Sequence, residues 1–111
     1  MDRPTTRVNG ALLANCSQGQ VVRLIGKVVS LDSDQAVLEA ADGVQVTVKL
    51  SQDSVLSDTF VEVIGKVVDT SAISELTSQN LGENLDLGLA NKVVELAQQY
   101  PEVFPRPDTG D

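Results

Sequence analysis

Valine accounts for seventeen of the 111 residues, and fourteen of those seventeen lie before position 70. β-Branched side chains are restricted in a helix and pack well on a pleated surface, so this bias assigns the first two thirds of the chain to sheet. The strongest strand runs from Gln20 to Leu31, with Val21, Val22, Leu24, Ile25, Val28 and Val29 around Gly26. Twelve extended residues would reach roughly 40 Å, too far for a flat strand in so small a domain. A mid-strand glycine is therefore expected to let it coil or bulge. Asp32 to Asp34 turns the chain into a second strand, Gln35 to Ala40. Asp42-Gly43 then predicts a hairpin with both turn residues at positive φ. In the third strand Val44, Val46, Val48 and Leu50 alternate with Gln45, Thr47 and Lys49, which buries one face and wets the other.

Ser51 to Thr59 reads as a polar connection containing Val55 and Leu56 and forming a single helical turn, Phe60 to Val68 as the fourth strand, and Ala72 to Gln79 as a weaker fifth. Glu75 falls inside that fifth strand and leaves its register open. Ahead of the sheet, residues 1–6 form a loose polar arm. Val8 to Asn15 reads as a short helical turn capped by Asn9, with Leu12 and Leu13 turned inward. Ile25-Gly26-Lys27-Val28-Val29 recurs as Ile64-Gly65-Lys66-Val67-Val68. One recurrence makes no solenoid, and neither copy carries the glycine-rich loop or the Ser/Thr after lysine that a phosphate loop needs. Gly26 and Gly65 are therefore read as coiling points of two long strands in a closed sheet. The expected fold is all-β: a five-stranded Greek-key barrel of the oligonucleotide/oligosaccharide-binding (OB) type, with a short N-terminal helical turn and a C-terminal amphipathic helix. An SH3-like barrel with an appended helix is the alternative.

After Gly82 the pattern changes from period 2 to a helical one. Asp86 reads as the N-cap, and Pro101 stops the helix at or just before Tyr100. Leu89, Val93, Leu96 and Tyr100 are spaced 4, 3 and 4, as in a coiled-coil seam. Ala90, Val94 and Ala97 widen the stripe, while Asn91, Lys92, Glu95, Gln98 and Gln99 form the wet side. The chain divides into a barrel with its N-terminal arm (1–82), an oligomerisation helix (83–101) and a tail (102–111). A helix lying on its own barrel accounts for one apolar stripe. The breadth of the stripe and its heptad spacing favour a helix that joins partner helices.

The composition narrows the chemistry further. The chain has no histidine, which removes the commonest general base and the commonest metal ligand. Its one cysteine, Cys16, follows an apolar run and reads as structural. Asp32-x-Asp34 begins like a calcium loop but lacks the later glycine and glutamate. No catalytic site, metal or cofactor is expected. Sixteen acidic residues against eight basic ones give a net charge of −8, the wrong sign for a protein that neutralises phosphates. The only aromatics are Phe60, Tyr100 and Phe104, and none lies on the second or third strand, where an OB barrel binds its ligand. No apolar run approaches the ~20 residues of a membrane span, and the N-terminus lacks the apolar stretch of a signal peptide. A soluble intracellular address is expected.

The chain resembles the small subunits of replication protein A, the eukaryotic heterotrimer that binds single-stranded DNA. The resemblance rests on Arg7-Val8-Asn9-Gly10-Ala11-Leu12-Leu13, the paired Ile25-Gly26-Lys27-Val28 and Val63-Ile64-Gly65-Lys66-Val67, Leu85-Asp86-Leu87-Gly88-Leu89, and Tyr100-Pro101-Glu102-Val103-Phe104-Pro105, in that order from Arg7 to Phe104. It implies an OB-fold subunit whose C-terminal helix joins one helix from each of the large and middle subunits in a three-helix bundle. It also implies a nuclear protein of DNA replication, repair and recombination, with most DNA contacts and the zinc site of the complex carried by the other subunits. The segment between the fourth strand and the helix is short for the family. A barrel that itself touches single-stranded DNA weakly within the complex is the alternative function.

Overall fold

Strand β2 (Val21–Leu31) is shared between neighbours along its length. In a computed structural model, which describes residues 6–99 and the side chains as far as Leu96, its first half pairs antiparallel with β5 (Phe60–Asp69), from Val21↔Lys66 to Lys27↔Phe60. Its second half pairs with β3 (Gln35–Ala40), from Gly26↔Ala40 to Leu31↔Ala36. β3 continues to β4 (Gln45–Lys49), β4 runs parallel to the start of β6 (Ala72–Gly82), and β6 lies antiparallel to β5. The ring β2-β3-β4-β6-β5 thus closes on itself. This is the expected five-stranded OB barrel. A sixth strand, β1 (Thr6–Val8), lies parallel to Val22–Leu24 on the edge of β2 that β3 leaves free, so Thr6, assigned to the polar arm, is strand, and the rest of that arm lies outside the described residues.

Alternation fills the barrel. Val22, Leu24, Ala36, Leu38, Ala40, Val46, Val48, Val61, Val63, Val67 and Ile73 are buried, with Val8, Leu13 and Leu56 completing the cluster. Leu13 comes from α1 (Gly10–Leu13), capped as expected by Asn9, whose Oδ1 accepts from Leu12 N. Val44, expected on the buried face, is 42% exposed because it precedes β4 beside the hairpin turn.

Both mid-strand glycines face inward, at backbone angles open to any residue. What requires glycine is proximity. A Cβ on Gly26 would lie 2.8 Å from Glu39 O and 3.2 Å from Leu38 Cβ, and one on Gly65 would lie 2.6 Å from Ser74 O. The bulge expected at Gly26 occurs instead at Val29, between the pairs Val28↔Leu38 and Ser30↔Val37. At Gly65 the register does shift, with Leu76 as the extra residue on β6.

Two turns differ from expectation. In the Asp42-Gly43 hairpin only Gly43 has positive φ, 87°. Gly43 N donates to Ala40 O, and Ala40 N donates to Val44 O, which makes a longer turn closed by a glycine bulge. Asp42 is thereby released to accept from Gly10 N and Ala11 N, both at 3.0 Å, pinning α1 to the hairpin. The helical turn expected within Ser51–Thr59 is absent: a hydrogen-bonded turn at Gln52-Asp53, closed by Ser54 N donating to Ser51 O at 3.2 Å, leads into irregular chain and a bend at Asp58-Thr59. Side chains of β6 hold it. Glu75, 5% exposed, accepts from Ser51 N, Ser51 Oγ and Ser54 Oγ at 3.0 to 3.2 Å and from Ser78 Oγ at 2.5 Å. Asn80 accepts from Ser57 N and Asp58 N and donates to Val55 O. These tethers account for the length of β6, which runs on past Gln79 to Gly82.

Candidate partner interface

Helix α2 (Leu87–Gln99) begins where Asp86 Oδ1 accepts from Leu89 N at 3.1 Å, the expected N-cap. The helix packs against β1 and β2. Its barrel-facing side is Leu87, Ala90, Asn91 and Val94, an i, i+3, i+4, i+7 set in which Val94 is 4% exposed and the other three are half-buried. Leu89, Val93 and Leu96 remain 61%, 37% and 41% exposed. At about 100° per residue the two sets centre roughly 140° apart around the helix. The broad stripe read from the sequence is therefore two stripes. Val94 belongs to the docked one, Ala90 lies at its margin toward the other, and Leu89, Val93 and Leu96 share the outward one. The side chain of Ala97 and all of Tyr100 lie outside the described residues.

Asn91 is a correction. Assigned to the wet side, it is half-buried, and its Oδ1 accepts from Asn9 Nδ2 at 2.8 Å. Its own Nδ2 donates to Glu95 Oε2 at 3.2 Å. Sequence reading missed this pair. Its only trace is the Leu87, Ala90, Asn91, Val94 spacing, an apolar face with one amide in it.

The barrel face that OB proteins use for ligands is formed by β3 and β4. Its outward cross-strand pairs are Gln35↔Lys49, Val37↔Thr47 and Glu39↔Gln45. It carries one base, one acid and no aromatic ring, and Lys27 on β2 stands opposite Glu39. Asp32 and Asp34 rim it at one hairpin and Asp69 at another, where Asp69 Oδ1 accepts from Ser71 N at 2.8 Å. Neither the charge to hold a phosphate chain nor a surface on which bases stack is present there.

Other reactive groups are structurally employed. Cys16 Sγ donates to Leu12 O at 3.4 Å, and burial pushes its thiol pKa up, away from the thiolate that nucleophilic chemistry needs. Thr59, through its hydroxyl and its N–H, donates to Glu83, which lowers that carboxyl's pKa and ties the chain after β6 back to the start of β5. A shallow cleft of about 180 Å³ lies on the outside of β2, β5 and β6, lined by Arg23, Glu62, Ile64, Thr77, Ser78 and Gln79. Arg23 and Glu62 form a loose ion pair across it, at 3.9 Å. Among the described residues no cluster of carboxylate or thiol side chains is placed to hold a metal ion, and no helix is long and apolar enough to cross a membrane.

The family profile described as Replication factor A protein 3 matches residues 1–104 of the chain. The chain belongs to the replication factor A protein 3 family. Replication factor A protein 3 of Schizosaccharomyces pombe is 29% identical over 105 residues, covering 94% of this chain and 98% of that protein. From Arabidopsis thaliana, a 14 kDa component of replication protein A is 33% identical over 102 residues, covering 91% of this chain and 94% of that one. A chain in the structure of U. maydis replication protein A bound to single-stranded DNA superposes with a TM-score of 0.87 at 32% identity, covering 97% of this chain and all of that one. Replication factor A protein 3 relatives thus match the barrel and α2 together, not the barrel alone.

Proposed function

We propose that this chain is the structural, non-enzymatic small subunit of a replication protein A-type heterotrimer, joining the large and middle subunits through α2. In this reading residues 1–82 are the barrel with its arm, 83–101 the assembly helix and 102–111 a tail. Single-stranded DNA is bound mainly by the larger subunits, and the complex serves replication, repair and recombination in the nucleus. One observation carries the reading: α2 docks on the barrel by one face and leaves Leu89, Val93 and Leu96 in water on the other. Burying a leucine or valine contributes about 1.5–3 kcal/mol, so three such side chains in a row on an exposed helix face are a surface awaiting a partner. Ala90, Ala97 and Tyr100 extend the same interface.

The test is Val93→Asp/Leu96→Asp in the full chain, co-expressed with the two larger subunits. Buried at a helix seam, the new charges would lack partners and cost several kcal/mol. The barrel core gains no charge. The expected result is an unchanged circular dichroism spectrum with loss of co-purification. Assembly at wild-type level would refute the interface, and outright unfolding would assign the seam to the subunit's own core.

A further inference from the structure

The seat of α2 on the barrel is small, and among the described residues one side-chain hydrogen bond, Asn9 to Asn91, joins the two. Val94 is the single side chain of the helix that is buried to more than nine tenths among the described residues. Apolar contacts of this kind tolerate rotation of a helix about its axis. In water they would favour the wrong rotation, because Leu89, Val93 and Leu96 offer more apolar surface than Leu87, Ala90 and Val94. Left to burial alone, the isolated helix would roll its partner seam onto the barrel.

The Asn9–Asn91 hydrogen bond opposes that roll. Asn9 is 5% exposed, and both functions of its amide are committed: Oδ1 caps α1 through Leu12 N at 2.9 Å, and Nδ2 donates to Asn91 Oδ1 at 2.8 Å. The cap fixes the orientation of the Asn9 amide, so its N–H points to one place on the outside of the barrel. Turning α2 by one residue, about 100°, removes Asn91 from that place and strands a buried donor. We propose that Asn9 and Asn91 are positioning residues: their hydrogen bond sets the rotation of α2 and keeps the Leu89/Val93/Leu96 face turned outward, ready for partner helices. This rests on the assembly reading of the seam.

Helix propensity and the latch make opposite forecasts for two substitutions at Asn91. Alanine is the stronger helix former but cannot accept from Asn9. Aspartate is a poor helix former but keeps an acceptor oxygen, and with Glu95→Gln present in every variant compared it meets no like charge one turn on. With Cys16 replaced by serine and nitroxides attached at Lys66→Cys and Lys92→Cys, both exposed sites, pulsed dipolar spectroscopy on the isolated chain reads the setting of α2 directly. The expected result is one narrow distance distribution in the wild-type background and in Asn91→Asp, and a shifted or broadened one in Asn91→Ala. Circular dichroism should show equal helix content in all three. In the co-expressed complex Asn91→Ala should lower affinity roughly fivefold, with Asn91→Asp within about twofold of wild type. A broad wild-type distribution, an unchanged one in Asn91→Ala, or equal disturbance by both substitutions would overturn the latch. Because the distances are measured without partners, they stand even if Val93→Asp/Leu96→Asp leaves assembly intact, and the two failures stay distinct.

Discussion

A Cβ at Gly65 would meet the carbonyl oxygen of Ser74 at 2.6 Å, and backbone on a neighbouring strand cannot move aside as a side chain can. Gly65→Ala is therefore expected to destabilise the barrel by about 2 kcal/mol or more, roughly a 10 °C fall in Tm, and Gly65→Val by more. Gly26→Val belongs to the same class, with Glu39 O at 2.8 Å. An unchanged melting curve for either valine variant would show that the strands can separate there without penalty. Glu75 is a different kind of residue-scale constraint. Its carboxylate holds three serine hydroxyls and a backbone N–H. Glu75→Gln retains a side chain that can bond to rotated hydroxyls and should cost under about 1 kcal/mol. Glu75→Ala strands those donors and opens a cavity, at about 2–4 kcal/mol. Urea titration of the pair reads the difference, and equal losses would mean that side-chain volume, not hydrogen bonding, is what Glu75 supplies.

Among the elements, period-2 alternation locates β4 in the sequence, and the Asp86 cap locates the start of α2. These signals are local, which is why they are legible. The end of β6 is not, because a strand stops where its neighbour does. β6 reaches Gly82 by pairing with Phe60 and by holding the preceding loop through Asn80, and nothing near Gly82 in the sequence records either partner. For the same reason Glu75 reads as an irregularity, since three of its four donors come from Ser51 and Ser54, more than twenty positions away. The apolar stripe on α2 is visible but not its division, which depends on where β1 and β2 lie beside it. The cap carries an element-scale prediction. Asp86→Ala should cost about 1 kcal/mol of helix stability, seen as faster amide exchange at Leu89 and Ala90 with the barrel amides unaffected. Uniformly faster exchange would mean that α2 and the barrel unfold as one unit.

For the molecule as a whole, a charge of −8 and a β3–β4 face without aromatic rings set the expectation for DNA. The isolated chain should bind single-stranded oligonucleotides with a Kd weaker than micromolar at physiological salt, as read by fluorescence anisotropy. Sub-micromolar binding with a steep salt slope would give the barrel a direct role.

The closure of the ring also governs how the molecule comes to be made. β2 finds β3 across a tight turn, but its other edge waits for β5, and the seal between β4 and β6 is only three register pairs long. Pairings this remote in sequence pay loop-closure entropy first, which places folding in the millisecond-to-second range typical of barrels. On the ribosome, Val21 to Lys27 emerges as a valine-rich edge with unpaired amides and stays so until Phe60 to Gly82 has followed. Nascent chains arrested before Phe60 should therefore be sticky and protease-sensitive, and chains released after Gly82 should not.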